Sequence, residues 1–466
     1  MSFWKSQFEN FDTEYFPPLR AQTKHDRKEH SVDFYVEALD NANDDFTTMT
    51  KIWSRMPRGD EDFMTRHVME IHGHVDLERF QYAWNQVVSR NPIMRTRIVS
   101  IPVQGFVQVV LKDTVEWTQH ERIDSCQHHS EKSKMGPGKP LAKFAIVKST
   151  DHPRVDFVWE MHWALYDGWA LRLMLAEAEK FYFNCTPRPL ENMLAFTKYV
   201  TGRDQRAALA FWKSQFTNLQ GAHFPPRELY KPQPRVDSEL KRMVQDLNWS
   251  RTYFTPATII RSAFSVAIAS TLGSNEALFG ATVMGRQAAV PGIERVAGPV
   301  FSTVPIRVQL DREERFTELL QRVQHQATIM VPFEHTGLEQ ICQASDDAAL
   351  ACEIQMLLVV QSAIKKGDFR YRDAETELFV KGLVASKDAI VELGRRSGDY
   401  PMYVECQLDP SGNVCLRFCF DSRVVGEARI EHMANRMENS LRQLSDPMRG
   451  QVRLKCIAGE DISSHM

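Results

Sequence analysis

No run of about 18 apolar residues occurs anywhere in the 466-residue chain, so no segment has the length a membrane-spanning helix needs. An excess of positive charge is also missing. The 57 Lys and Arg residues stand against 60 Asp and Glu, for a net charge of −3, and this removes the electrostatic footprint of a nucleic-acid binder. Cysteine is sparse: there are eight, and no two have CxxC spacing. Cys406, Cys415 and Cys419 fall close together, but a chain this long does not need disulfide staples, so reduced, apolar-like thiols in a cytosolic core are expected. Neither a P-loop nor a GxGxxG turn before a helix is present. His72 with His74, and His128 with His129, lack a carboxylate or thiol at ligand spacing, so no metal is expected. The N-terminal MSFWKSQFENFDTEYFPP carries acids, unlike a secretory leader. The expectation is a soluble, cytoplasmic protein that binds neither nucleic acid nor membrane.

The length calls for two lobes of roughly 200 residues each. An internal echo supports this: FWKSQFENFDTEYFPP from Phe3 returns as FWKSQFTNLQGAHFPP from Phe211. The Pro-rich stretch at residues 228–234 marks the neighbourhood of a crossover. The division is placed at 1–205 and 206–466. Asp76 is read as the cap of a helix with Leu77, Phe80, Trp84, Val87 and Val88 on its apolar face, ended by Asn91-Pro92. Thr255-Pro256 opens another helix and Gly273 closes it. Phe316, Leu319, Leu320 and Val323 form a third stripe, and Ile430, Met433, Met437, Leu441 and Leu444 a fourth. Val155, Phe157, Trp159 and Met161 alternate with Asp156, Val158 and Glu160, a strand period. Residues 278–283 and 356–360 read as buried strands, and 403–408 with 414–420 as a hairpin around Asp409 to Gly412. Helices and strands mix without strict alternation, so the class is α/β (α+β).

The strand at 155–161 runs into His162-Trp163-Ala164-Leu165-Tyr166-Asp167-Gly168-Trp169, with a helix expected from about Ala170 to Phe183. A His and an Asp-Gly at a strand-to-helix turn place polar groups at the end of a sheet. By itself such a His is more often a hydrogen-bonded core residue.

The block resembles the HHxxxDG motif of nonribosomal peptide synthetase condensation domains, in the chloramphenicol-acetyltransferase-like superfamily. Further blocks follow in order. NPIMRTR at 91–97 is similar to the RHExLRT block, and GATVMGR at 280–286 to the fungal form of GTPVANR. PGIERVAGP at 291–299, TVPIR at 303–307, VPFE at 331–334 and LLVVQ at 357–361 continue the resemblance, which covers roughly residues 65 to 445. It implies two acetyltransferase-like lobes in a V-shaped pseudo-dimer with a central tunnel. It further implies condensation of a donor acyl or peptidyl thioester, carried on the phosphopantetheine arm of a carrier protein, with an amine or alcohol acceptor. No cofactor beyond that arm is expected. The same resemblance assigns the motif residues His162, Trp163, Asp167 and Gly168 to the reaction centre and pairs Asp167 with Arg286. It places Trp169, Ser302, Thr303 and Gln361 along the substrate path.

Two departures from the family pattern stand out. The family's catalytic His, four residues before the Asp, is Trp163 here. An indole only donates a hydrogen bond and cannot take the acceptor's proton. Three readings stay open: condensation by proximity with a reoriented His162, a different reaction such as cyclisation, or a module that only binds. The family's TPLQ-like opening block is also missing, and residues 46–62 stand in its place. Coenzyme A-dependent HxxxD acyltransferases fit less well, because His162 lies five residues before Asp167 and no DFGWG-like block is present. No adenylation domain or carrier motif fits in this length, so donor and acceptor are expected from separate proteins or as free molecules, unless the sequence is a piece excised from a larger synthetase.

Overall fold

The computed structural model describes residues 64–101, 105–112, 115–126, 135–136, 138–149, 154–220, 223–225, 234–249, 253–361, 378–379 and 400–456, with the pair 35–36. The first copy of the FWKSQF echo, residues 46–62, His128-His129 and most of 228–234 lie outside the described residues. The chain divides into two compact units. Unit 1 comprises Met1–Thr197, Glu294–Pro299 and Phe369–Lys387, and unit 2 the remainder. Two segments beyond residue 205 thus cluster with unit 1.

Unit 1 contains a small sheet formed by β1 (Tyr35–Val36), β3 (Thr96–Ile101) and β4 (Gly105–Val110), in the order β1-β4-β3. Its larger sheet is built from β2 (Met64–Ile71), β5 (Trp117–His120), β6 (Ala142–Lys148) and β7 (Val155–His162), in the order β2-β7-β6-β5. β7 is a central strand, antiparallel to both neighbours. Its sequence alternates, yet its burial is nearly continuous. The polar face is also covered: Arg66 pairs with Glu160 at 2.6 Å and Arg154 with Asp156 at 2.8 Å, while Val158 packs with Cys126, Ala145 and Val147. Buried carboxylates are tolerated when paired in this way.

Helix α1 (Leu77–Arg90) begins where the Asp76 carboxylate accepts from the amides of Glu78 and Arg79. It buries Phe80, Ala83, Trp84, Val87 and Val88, the 3.6-residue stripe read from the sequence. Trp84 stacks edge-on against Trp159 of β7 at 4.6 Å between ring centres, and Phe80 against Phe157 at 5.1 Å. Each such ring contributes about 1.5–3 kcal/mol by leaving water, and these rings anchor the strand that carries the motif. Helix α2 (Gly168–Tyr182) follows the motif. Asn91, at the end of α1, donates its Nδ2 to the Val87 carbonyl at 2.8 Å and to Glu177 of α2 at 2.5 Å. The NPIMRTR block thereby ties α1 to the motif helix.

Helix α3 (Leu194–Thr201) contains the boundary between the units. In unit 2, α4 (Gln205–Phe216) carries the second FWKSQF copy, and Asp204 caps it by accepting the amides of Arg206 and Ala207. The six-stranded sheet comprises β8 (Ser238–Val244), β9 (Glu276–Val283), β10 (Ser302–Gln309), β11 (Met356–Gln361), β12 (Met402–Leu408) and β13 (Val414–Phe420). Their order is β10-β9-β11-β12-β13-β8. β11 is parallel to β9 and β12, and the other pairs are antiparallel. The β12–β13 hairpin turns where Asp409 Oδ1 accepts from the Ser411 and Asn413 amides and Gly412 adopts φ +86°, a left-handed conformation that suits glycine.

Helix α5 (Pro256–Leu272) starts on the Thr255 cap and ends on left-handed Gly273. It is apolar on most sides because it packs between α7 (Glu427–Leu444), α6 (Phe316–Met330) and β9. The stripes expected on α6 and α7 are buried. All eight cysteines are free thiols. Among the described residues, no helix is long and apolar enough to cross a membrane.

Candidate functional site

In unit 1 the motif occupies the C-terminal end of β7 and the turn into α2. His162 is the last residue of β7, and its backbone amide donates to the Leu141 carbonyl at 2.9 Å. Its side chain is 1% exposed, and Nδ1 accepts the Ala164 amide proton at 3.1 Å. Nδ1 is therefore the lone-pair nitrogen and Nε2 carries the hydrogen, a tautomer assigned from this bond. Burial pushes the imidazole pKa down to about 3. The ring is neutral at ordinary pH and its basic nitrogen is committed to the backbone.

Trp163 opens a short 3-10 turn, Trp163–Leu165. Its indole is half-buried and lies tilted against Tyr166, 6.1 Å between centres. Ala164 and Leu165 are buried. Tyr166 is buried as well; its hydroxyl meets His67 Nε2 at 3.2 Å. Burial raises the phenol pKa, against a smaller lowering by its bond to Thr65, and burial pushes His67 down to about 4. Asp167 caps α2 by accepting the Ala170 amide at 2.7 Å. Gly168 is exposed, and a Cβ placed on it would meet nothing within 4 Å. Trp169 donates its indole N–H to the Glu294 carbonyl at 2.8 Å.

That carbonyl belongs to the first of the segments that join unit 1 late in the chain. Glu191 pairs with Val296 in a parallel bridge, and Arg295 donates to the carbonyls of Arg188 and Pro189 at 2.7 and 2.8 Å. Gly298 lies against Met193, where a Cβ would sit 2.3 Å from the sulfur. Residues 294–299 of the PGIERVAGP block are thus strapped beside the start of α2 through Trp169.

In unit 2 the register gathers the other candidates at one end of the sheet. β9 and β11 run parallel and both finish there, and β10 starts there. Thr303 pairs with Thr282, which pairs on its other side with Val359, two residues before Gln361. Ser302 stands opposite Val283, and Arg286 follows three residues beyond the end of β9. Arg286 donates from Nη1 to the Ile293 carbonyl at 2.9 Å. Thr303 and Gln361 are half-buried, whereas Ser302 is buried and hydrogen-bonded to His335 Nδ1 at 2.8 Å.

Sequence reasoning missed His67, Tyr166, Glu334 and His335 as members of these polar clusters. Glu334 closes the VPFE block, and His335 is the next residue. Burial pushes Glu334 up to about 7, against an opposing pull from Arg261, and pushes His335 down to about 4. Among the described residues, no group of three or more His, Cys, Asp or Glu is placed to hold a metal ion.

Comparison with known proteins accounts for this arrangement. The family model of the condensation domain matches residues 52–457. Nonribosomal peptide synthetase ungA' of Aspergillus campestris is 36% identical over 385 residues, 82% of this chain and 4% of the synthetase. Nonribosomal peptide synthetase TES of Alternaria alternata is 32% identical across 82% of this chain and 7% of its own length. Nonribosomal peptide synthetase sidD of Aspergillus fumigatus is 30% identical across 86% of this chain and 19% of its own. The chain therefore spans only a small part of the curated relatives it matches. The same fold recurs in the crystal structure of CT, with TM-score 0.65, 17% identity and coverage of 85% of this chain and 90% of that one. It recurs again in the first condensation domain of the calcium-dependent antibiotic synthetase, with TM-score 0.60, 14% identity and coverage of 89% and 99%. An ordered strand, motif turn and helix, set within a family match of this extent, leave one conclusion: the chain is a member of the condensation-domain family, of the fungal nonribosomal peptide synthetase kind.

Proposed function

We propose that the chain joins an acyl or peptidyl thioester on a carrier protein's phosphopantetheine arm to an amine acceptor, as a step in making a peptide natural product, with Trp163 standing where the family motif has its second His. The observation that carries this reading is the intact turn: His162 fastened to Ala164, Asp167 capping α2, and open space over Gly168. The scaffolding half of the motif is kept, and the base is replaced.

A neutral amine suits such a site better than an alcohol. It attacks a thioester without prior deprotonation, whereas a hydroxyl needs a base near neutral pH. In the proposed reaction the amine nitrogen forms a bond to the acyl carbon and the carbon–sulfur bond breaks. The proton lost by the nitrogen ends on the pantetheine thiol. Holding the two reactants together supplies much of the acceleration, and the exposed start of α2 at Gly168 gives the developing oxyanion access to backbone N–H groups. Thr303 and Gln361 are proposed to line the substrate path. Trp169 and Ser302 spend their polar atoms on Glu294 and His335, and we assign them to holding that path in shape.

Trp163 itself favours a second reading, in which the half-buried indole walls a changed reaction or a binding-only module. Single-turnover assays with acyl-loaded carrier protein and a panel of amines and alcohols, followed by intact-protein mass spectrometry, separate the two. The proposal expects loss of acyl from the carrier matched by amide product, and little ester. Gly168→Ala, whose methyl enters open space, is expected to keep its melting temperature and to slow turnover on the order of 10²-fold by displacing the acyl group. A carrier that binds and keeps its acyl group with every acceptor supports the binding-only module instead.

A further inference from the structure

The imidazole of His335 lies between two strand ends in unit 2, with its side chain 2% exposed. Nδ1 is 2.8 Å from Ser302 Oγ and Nε2 is 3.3 Å from the Gly285 carbonyl. A carbonyl only accepts, so Nε2 carries the hydrogen and Nδ1 receives that of Ser302. Both polar atoms of the ring are therefore committed to the two pieces of chain that flank Arg286: the turn leaving β9 and the first residue of β10. Gly285 is left-handed at φ +73°, and a Cβ there would lie 2.0 Å from the Val300 carbonyl oxygen and 2.5 Å from His335 Cε1. The ring is packed directly against that turn. The same Gly285 carbonyl accepts the Ala288 amide at 3.4 Å, which closes the turn around Arg286. The other polar neighbours of His335 hold it in place: Arg203 Nη2 donates to its carbonyl at 2.6 Å, and Glu334 Oε1 lies 3.6 Å from Nε2. The ring of Tyr199 stands edge-on at 6.5 Å.

We infer that His335, oriented by Ser302, is a positioning residue that fixes the Gly285 turn and thereby the placement of the Arg286 side chain. Its effect on turnover rests on the proposed condensation reading; its effect on the turn does not. The hydroxyl of Ser302 is a spent donor in a buried position, so the pair acts as a brace and not as a nucleophile with its base.

The test uses the full chain with Ser302→Ala, which removes one bond and keeps the imidazole, and His335→Leu, which removes both. Amide hydrogen exchange at Ala288 is the first readout, with the amides of α7 as the control for intact folding. Exchange at Ala288 is expected to quicken by about tenfold or more in His335→Leu and less in Ser302→Ala, with α7 unchanged. Should His335→Leu fail to fold, Ser302→Ala decides alone, and unchanged exchange there overturns the inference. The second readout is turnover: kcat is expected to fall with KM for the carrier-bound donor unchanged, and His335→Leu is expected to add nothing in an Arg286→Ala background. Fully multiplicative losses in that double variant overturn positioning through Arg286 while leaving the condensation reading intact. If the unsubstituted protein forms no product, the condensation reading fails and the exchange result still decides the brace. Covalent labelling of Ser302 by a fluorophosphonate also counts against the inference, because it would make Ser302 a working nucleophile.

Discussion

Replacing Trp163 with His is expected to raise the rate of amide formation from acyl-carrier donor by on the order of 10²–10⁴-fold, the usual contribution of a positioned general base. The backbone at 163 is fixed by the 3-10 turn, by the His162–Ala164 bond and by the Asp167 cap, none of which uses the indole. Position 163 is half-buried, unlike 162, so an imidazole there escapes the burial that drives His162 down to about 3. It would titrate near its ordinary value and accept a proton at neutral pH. Tyr166 stays as the wall beside it, held by its own buried contact with His67. The gain is expected to be larger with alcohol acceptors, which need the base, than with amines. A variant that is slower than the unsubstituted protein would falsify the reading of Trp163 as the lesion and make the indole part of a different mechanism.

The second large effect is on stability against acid. His67, His162 and His335 are buried as neutral rings, with burial pushing them to about 4, 3 and 4. Unfolded, each binds a proton near 6.5. Between those values the unfolded state holds more protons, so stability is fully present above pH 6.5 and is lost as pH falls towards 4. Glu334 acts with the opposite sign. Burial raises its folded value to about 7, so the native state takes up a proton first, and this residue adds stability as pH falls from 7 towards 4.5. Among these four groups the three imidazoles outweigh the one carboxyl, for a net loss of about 3 kcal/mol between pH 7 and pH 5. That is a large share of the roughly 5–15 kcal/mol that holds an ordinary domain. Urea unfolding at pH 7, 6 and 5 measures it, and Glu334→Gln is expected to steepen the loss by removing the opposing group. A midpoint that stays level or rises from pH 7 to pH 5 contradicts the burial of these rings as neutral groups.

Much of this was legible in the sequence where chemistry is local. Asp76, Thr255 and Gly273 act at the helix ends where their types predict, and the buried stripes of α1, α6 and α7 follow the 3.6-residue period. The ordered blocks announced the family before any geometry. β7 was legible as a strand but not as a strand buried on both faces, because its Asp156 and Glu160 look solvent-facing until Arg154 and Arg66 are brought to them. The strap at Glu294–Pro299 was not legible as part of unit 1. Its bonds to Trp169, Arg188, Pro189 and Glu191 join residues about a hundred positions apart, and no local period records such a contact. His335 was hidden for a similar reason. Its partners, Ser302 and Gly285, come from two strands that only the sheet register brings to one end.

The central claim is that the motif turn is intact as a scaffold and holds no working base. Nitrogen-15 NMR of histidine-labelled protein reads this directly by following the His162 ring, assigned with His162→Gln, from pH 8 to pH 5. The account predicts a neutral ring protonated on Nε2 throughout, with no titration in that range. A ring that titrates near 6.5, or carries its hydrogen on Nδ1, would return His162 to the role of a base and contradict the claim.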